Sequence, residues 1–148
     1  MYQRILLPVD GSNTSDSALR EAIKLASDRK AEFRIVHVIE DVVPMWDVEF
    51  LNTNEIREAL RETGRRILAK AEAVAREAGI KAETRLIETS PPGARIASMI
   101  AAEAKAWPAD LIVTGTHGRR GVDHLLMGSV AEGVVRISPV PVLLIRDR

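Results

Sequence analysis

Ile5-Leu6-Leu7-Pro8-Val9-Asp10-Gly11-Ser12 opens the chain with an apolar run that stops at an acid, a glycine and a serine. A short β-branched and apolar run bounded by turn residues predicts a buried strand and a tight exit. Leu19, Ala22, Ile23 and Ala26 then recur at helical spacing. Ser12 and Ser15 are both able to cap that helix, and the pattern does not choose between them. Strand, turn and helix thus follow one another within the first thirty residues.

The same unit repeats outward from this opening. Phe33 to Ile39 is a second apolar run. Residues 40–52 form a loop with Pro44, Met45, Trp46 and Phe50, whose aromatics are expected to cover the core. Asn52 and Glu55 have capping-box spacing, and Ile56, Leu60, Ile67, Ala71, Val74 and Ala78 continue as a helical stripe up to Gly79, a C-terminal stop. Residues 80–88 alternate imperfectly and predict a strand near a sheet edge. Ser90-Pro91-Pro92-Gly93 turns into a helix whose buried side carries Ile96, Met99, Ile100 and Trp107, and which must end before Pro108. Leu111 to Thr114 is a fourth strand, 115–127 a glycine-bearing loop, Ser129–Ile137 a short helix and Val140–Ile145 a last strand. Strict β-α alternation with apolar strands predicts an α/β fold: a parallel sheet with helices on both faces. Ligands of such sheets sit beyond the carboxyl ends of the strands, where strand order reverses. That rule singles out the turn at Asp10 and the loop at Gly115.

Composition narrows the class. The 148 residues fit a single domain over 1–148, and 46% are apolar, enough for one core. Lys and Arg number 21 and Asp and Glu 21. A balanced charge argues against a general nucleic-acid binder, which needs clustered cations. The absence of cysteine removes disulfide scaffolds, thiolate zinc sites and thiol chemistry, and fits a reducing cytoplasm. No segment reads as a signal peptide or a membrane span, and the Asn13-Thr14-Ser15 acceptor triplet is treated as chance.

Thr114-Gly115-Thr116-His117-Gly118-Arg119-Arg120-Gly121 leads to Met127-Gly128-Ser129. Ser129 and Glu132 have capping-box spacing, so the helix start is specified. Its first amides lack intrahelical partners and carry partial positive charge. Glycines admit a ligand close to the backbone, and Arg119 adds a forked cation. The segment can therefore cradle phosphate oxygens; equally, the glycines can serve only to shape a turn. Glu132, one turn into the helix, would oppose an anion if it faced it. No glycine precedes a lysine and no Gly-x-Gly occurs, so the P-loop and the dinucleotide fingerprint are absent. Asp10 lacks the neighbouring acid of a phosphoacceptor domain.

The spacing Gly-x2-Gly-x9-Gly-Ser over Gly115, Gly118, Gly128 and Ser129 resembles the nucleotide-binding motif of the universal stress protein family. The opening Ile5–Ser12, His37-Val38 and Pro139-Val140-Pro141-Val142-Leu143 are similar to other segments of that family, and the likeness spans the chain. It implies a five-stranded, Rossmann-like sheet of order 3-2-1-4-5, related to adenine nucleotide α hydrolases. It implies an adenine nucleotide, ATP in the subgroup that carries the glycine pattern, with ADP or AMP as alternatives. It also implies homodimers joined through Val140, Val142, Leu143, Leu144 and Ile145. Carried over residue by residue, Pro8, Val9 and Asp10 would meet the adenosine, and Val38 would offer its backbone to adenine. Thr114, Gly115, His117, Gly118 and Arg119 would line ribose and phosphates. Gly128, Ser129 and Val130 would hold the phosphate end. Ala131 departs from members with a second hydroxyl there, and Gly133 has no account at this level.

Other assignments compete. Asp10 can simply order its turn. His37 reads as a satisfied core histidine. His117, Asp123 and His124 match no metal spacing, so Mg²⁺ or Mn²⁺ is expected only through nucleotide phosphates. His117 and Asp123 are the sole nearby candidates for orienting a water, and no catalytic constellation can be argued. The expected function is a homodimeric, ATP-binding regulatory module of the cytoplasm, without nucleic acid or membrane as partner. A slow ATPase and a nucleotide-free dimerisation scaffold are its rivals. Residues 40–52 and 116–127 are the segments expected to respond to nucleotide.

Overall fold

The computed structural model describes residues 2–40, 53–89, 95–117 and 127–146. Nine elements alternate: β1 (Arg4–Pro8), α1 (Asn13–Arg29), β2 (Glu32–Ile39), α2 (Thr53–Glu77), β3 (Ala82–Glu88), α3 (Ile96–Ala106), β4 (Leu111–Gly115), α4 (Ser129–Ile137) and β5 (Val142–Ile145). The strands pair in parallel as a single sheet of order β3-β2-β1-β4-β5. This is a Rossmann-like α/β fold. The chain winds outward through β2 and β3, then returns to the far side of β1, so strand order reverses between β1 and β4.

Strand periodicity builds two cores. Ile5, Leu7 and Val9 face α1 and α2, where they meet Ala18, Leu19, Ala22, Leu68 and Ala71. Leu6, between them, faces the other layer with Val36, Val38 and Ile112, against Ile100 and Ala104 of α3 and Val134 of α4. Successive side chains of a strand point to opposite faces, and because both faces are covered, β1 reads as a continuous apolar run rather than an alternation. Fully burying one such side chain stabilises by about 1.5–3 kcal/mol.

The helix ends follow local chemistry. Ser12 caps α1: its hydroxyl accepts from the Ser15 amide at 3.2 Å, while the Ser15 hydroxyl accepts from the Asp10 amide at 3.2 Å. Both serines of the ambiguous pair are thus used, in different roles. Gly79 takes φ +82 after α2, and the Ile80 amide reaches back to the Ala75 carbonyl at 2.9 Å, the six-to-one bond of a Schellman stop. At the end of α1 the same conformation falls to Lys30, at φ 54. Asn52 of the expected capping box and the aromatics of 40–52 lie outside the described residues.

Two expectations need correction. Ser129 is the first helical residue of α4, not its cap. Gly128 holds the cap position in extended backbone, with no side-chain cap bond, and its amide donates to the Thr116 carbonyl at 2.7 Å. Glu132, the other half of the expected box, instead pairs with Arg136 at 2.6 Å. The last strand starts at Val142, not Val140. Proline has no amide for the ladder, so Pro141 contributes only its carbonyl, which accepts from Ile112 at 3.0 Å. Val140 is held in a turn by the Ser138 hydroxyl.

Two glycines inside helices have packing reasons. A Cβ at Gly64 of α2 would stand 2.6 Å from Leu86 Cδ1 and 2.9 Å from His37 Cδ2. A Cβ at Gly133 of α4 would stand 2.7 Å from the Ala97 Cβ of α3. Each glycine weakens its helix by about 1 kcal/mol relative to alanine, and each lets a neighbour approach. At the opposite, amino end of the sheet, Asp110 accepts from the amides of Gln3 and Arg4 at 2.8 and 3.0 Å. None of the described helices is long and apolar enough to cross a membrane.

Candidate functional site

β1 ends at Pro8 and β4 at Gly115, side by side at the switch point, and each strand hands over to a turn that the other side of the cleft helps to fix. In the β1 turn, an Asp10 carboxylate oxygen accepts from the Ser12 amide at 2.9 Å, closing an Asx turn across Gly11, whose φ is +82. Asp10 therefore orders its turn, as one reading expected. At the β4 exit, the Thr116 amide donates to Ile145 at 3.0 Å and its carbonyl accepts from Gly128. That pair of bonds ties the end of β4 to β5 on one side and to the start of α4 on the other. The Thr14 hydroxyl donates to the His117 carbonyl, so α1 also grips this exit.

Gly115 is required by that grip. A Cβ there would lie 2.9 Å from three atoms of Thr14, two of them backbone. Backbone cannot swing aside as a long side chain can, so any larger residue would push α1 off β4. The sequence reading assigned this glycine to ligand approach; the structure gives the space of its missing side chain to Thr14.

Between the two strand ends lies a hollow of about 100 Å³. Pro8, Val9, Asp10, Val38, Thr114, Gly115, His117 and Val130, all expected from sequence, line it. Ser12, Ser15, His37, Ile96 and Ile100 line it as well and were not anticipated as site residues, and so does Ala131, whose position the resemblance had marked only for a missing hydroxyl. Ile96 and Ile100 had been read as core, since an i, i+4 apolar pair on a helix carries no mark of a cleft. His37 sits one residue before Val38, and Ser15 one helical turn beyond the Asp10 corner; those adjacencies were the available signals. Gly128 and Ser129 adjoin the hollow through the Thr116 bond without lining it. Gly118 and Arg119, like Asp123 and His124, lie outside the described residues.

The lining mixes apolar and polar side chains. Val38, Ile96, Ile100, Val130 and Ala131 supply surfaces for a flat, weakly polar ring. Asp10, Ser12, Ser15, Thr114 and His117 supply a carboxylate, hydroxyls and an imidazole. His37 donates from Nδ1 to the Val9 carbonyl at 2.7 Å, because a carbonyl can only accept. That bond fixes the ring's orientation and leaves Nε2 as the acceptor of the neutral form. His117 Nδ1 meets the Thr116 hydroxyl at 3.0 Å. Among the described residues no group of three or more His, Asp or Glu side chains could hold a metal ion. Small-molecule sites usually enclose roughly 300–1,000 Å³, so this hollow is the size of a base and not of a whole nucleotide.

A model of the universal stress protein family matches residues 1–146. A universal stress protein of Methanocaldococcus jannaschii is 37% identical over 147 residues, spanning 99% of this chain and 83% of that protein. A universal stress protein from Archaeoglobus fulgidus, solved in complex with dAMP, is 26% identical with a TM-score of 0.69, over 97% of this chain and 98% of that one. A universal stress protein solved in complex with cAMP is 25% identical with a TM-score of 0.69, over 99% of this chain and 98% of that one. With its sheet order, its switch-point hollow and these likenesses together, the chain belongs to the universal stress protein family.

Proposed function

We propose that this protein is an ATP-binding regulatory module, one domain over residues 1–148, that takes the nucleotide into the hollow between the ends of β1 and β4. The reading rests on one convergence: Asp10, Val38, Gly115, His117 and Val130, from four separate segments, border the same small cavity. Two of the solved relatives described above are complexes with adenine nucleotides, cAMP and dAMP. Adenine would lie against the apolar lining at Val38, with Pro8 and Val9 against the adenosine and the Asp10 carboxylate toward ribose or the base edge. Thr114, His117, Gly118 and Arg119 then serve ribose and phosphates, and Gly128, Ser129 and Val130 the phosphate end. Ser129 is exposed at the first turn of α4, where unpaired amides favour an anion. The Glu132–Arg136 pair draws the one acid of that turn toward the other end of the helix. Mg²⁺ or Mn²⁺ would be held through the phosphates.

We further assign the active form as a cytoplasmic homodimer built on β5. This strand is an edge of the sheet, and Leu143 is 39% exposed, with Val135 and Ile137 of α4 also exposed. An apolar edge strand is an aggregation liability unless covered. Nucleotide occupancy would bias partner choice by favouring one arrangement of the loops at the cleft.

Calorimetric titration with ATP and with AMP, each with and without Mg²⁺, tests the nucleotide reading. One saturable site per chain is expected. Asp10→Asn keeps the turn's acceptor oxygen but loses the charge, and should weaken binding about tenfold, the scale of one charge-assisted hydrogen bond. Heats indistinguishable from dilution for both nucleotides overturn it. For the dimer, Leu143→Lys should sediment as a monomer; an unchanged dimer refutes that interface.

A further inference from the structure

A second and larger cavity lies on the opposite face of the sheet, between the first half of α1 and the second half of α2. It encloses about 370 Å³, within the roughly 300–1,000 Å³ of small-molecule sites. Its floor is apolar: Val9, Leu19 and Ala71 are buried, and Ile67 and Val74 are half-buried along one stripe of α2. Arg20 stands on the α1 rim, and Arg66 and Lys70, one turn apart, on the α2 rim. Asp16 is the one acid among the lining residues, against these three cations.

The cations of this cleft are weakly paired, unlike several arginines of the other faces. Arg4, Arg34, Arg61, Arg76 and Arg136 each meet a carboxylate at 2.6–3.0 Å. Arg20 and Lys70 have no ion-pair partner among the described residues, and Arg66 meets Glu62 only at 3.9 Å with both side chains largely exposed. An open apolar floor favours a ligand in proportion to the apolar area that the ligand covers. Unpaired cations on both rims favour a ligand that is anionic at one end.

We propose that the cleft between α1 and α2 binds an amphipathic carboxylate, with an alkyl body along Leu19, Ile67, Ala71 and Val74 and its headgroup among Arg20, Arg66 and Lys70. A polyanion such as nucleic acid fits poorly, because the cations flank a pocket instead of forming a stripe. Val9 and Ser15 border both this cleft and the nucleotide hollow, so the two sites share the β1–α1 turn as a common wall.

Calorimetric titration of the full chain with dodecanoate, at low ionic strength and below its micelle concentration, tests the proposal. One saturable site per chain is expected, present with and without excess AMP. Arg66→Glu with Lys70→Glu alters exposed side chains only and should weaken dodecanoate about tenfold, the scale of two partly solvated ion contacts. Thermal stability and AMP binding should stay as in the parent. Arg20→Glu, on the other rim, should weaken it in the same direction. Equal affinity for dodecyltrimethylammonium, unchanged affinity in both charge-reversed variants, or binding to anionic vesicles without binding to free dodecanoate overturns the proposal. Loss of dodecanoate binding when AMP is added overturns it too, since the carboxylate would then occupy the nucleotide hollow.

Discussion

Replacing Gly133 with alanine sets two opposed effects against each other, and the structure decides the sign. Alanine in mid-helix gains about 1 kcal/mol over glycine. Its Cβ, however, would stand 2.7 Å from the Ala97 Cβ, whereas carbon atoms in contact sit at about 3.5–4.0 Å. That neighbour is a methyl fixed directly to the α3 backbone, so it cannot rotate away. The helices must therefore part by about 1 Å. Overpacking of this kind costs about 1–3 kcal/mol, so the net change runs from about zero to a loss of about 2 kcal/mol, and it falls on the destabilising side because neither partner can yield locally. Urea denaturation followed by circular dichroism measures it, provided the slope with denaturant stays constant. Gly133→Ala combined with Ala97→Gly removes the clash, so the cycle should show a coupling of about 0.5–3 kcal/mol in the favourable direction. Ile96 and Ile100 of α3 and Val130 of α4 line the nucleotide hollow, so the single variant should also bind AMP more weakly. A Gly133→Ala protein that is about 1 kcal/mol more stable than the parent refutes the reasoning.

Other outcomes follow from single contacts. Lys30 holds a left-handed conformation at φ 54; Lys30→Gly should stabilise by up to about 1 kcal/mol, read from the same urea curves. Glu103, 5% exposed, accepts from Arg34 at 3.0 Å and Arg85 at 3.2 Å, with the Arg34 guanidinium 4.7 Å from the Trp107 ring. Glu103→Ala removes the buried one of Arg34's two carboxylate partners and leaves Glu83 at 2.6 Å, so it should destabilise by about 1–2 kcal/mol, below the range for a buried charge left with no partner. The hydrogen bond from Arg65, then that from Arg61, holds the Glu58 carboxyl below its ordinary value. Its folded-state pKa is depressed, so any stability it adds is present at neutral pH and fades as pH falls through that value. NMR titration should show the Glu58 carboxyl returning toward the ordinary range in Arg65→Gln, and no change there contradicts the assignment.

Much of the fold was legible because β-α alternation leaves a plain trace. Apolar runs such as Ile5–Val9 and Leu111–Val113 are buried on both faces, and the stops at Gly79 and Pro108 are chemical necessities. Strand order was different: nothing in periodicity says that β4 returns beside β1, and that came through family resemblance. The capping of α4 misled because Ser129 and Glu132 satisfy a local pattern that tertiary bonds override. Gly128 is already tied to Thr116, and Glu132 finds Arg136. The roles of Gly64, Gly115 and Gly133 depend on Leu86 and His37, Thr14 and Ala97, partners distant in sequence whose approach no spacing reveals. Half of the hollow was readable from strand ends, where position alone implies exposure to a ligand. Ile96 and Ile100 were not, because their chemistry is that of any core.

The most direct measurement is a crystal structure grown with excess ATP. The account predicts the adenine ring against Val38 in the hollow between β1 and β4, Asp10 in hydrogen-bond contact with the adenosine, and phosphates at the first turn of α4. ATP bound elsewhere, with that hollow filled by protein side chains or by water alone, would contradict it.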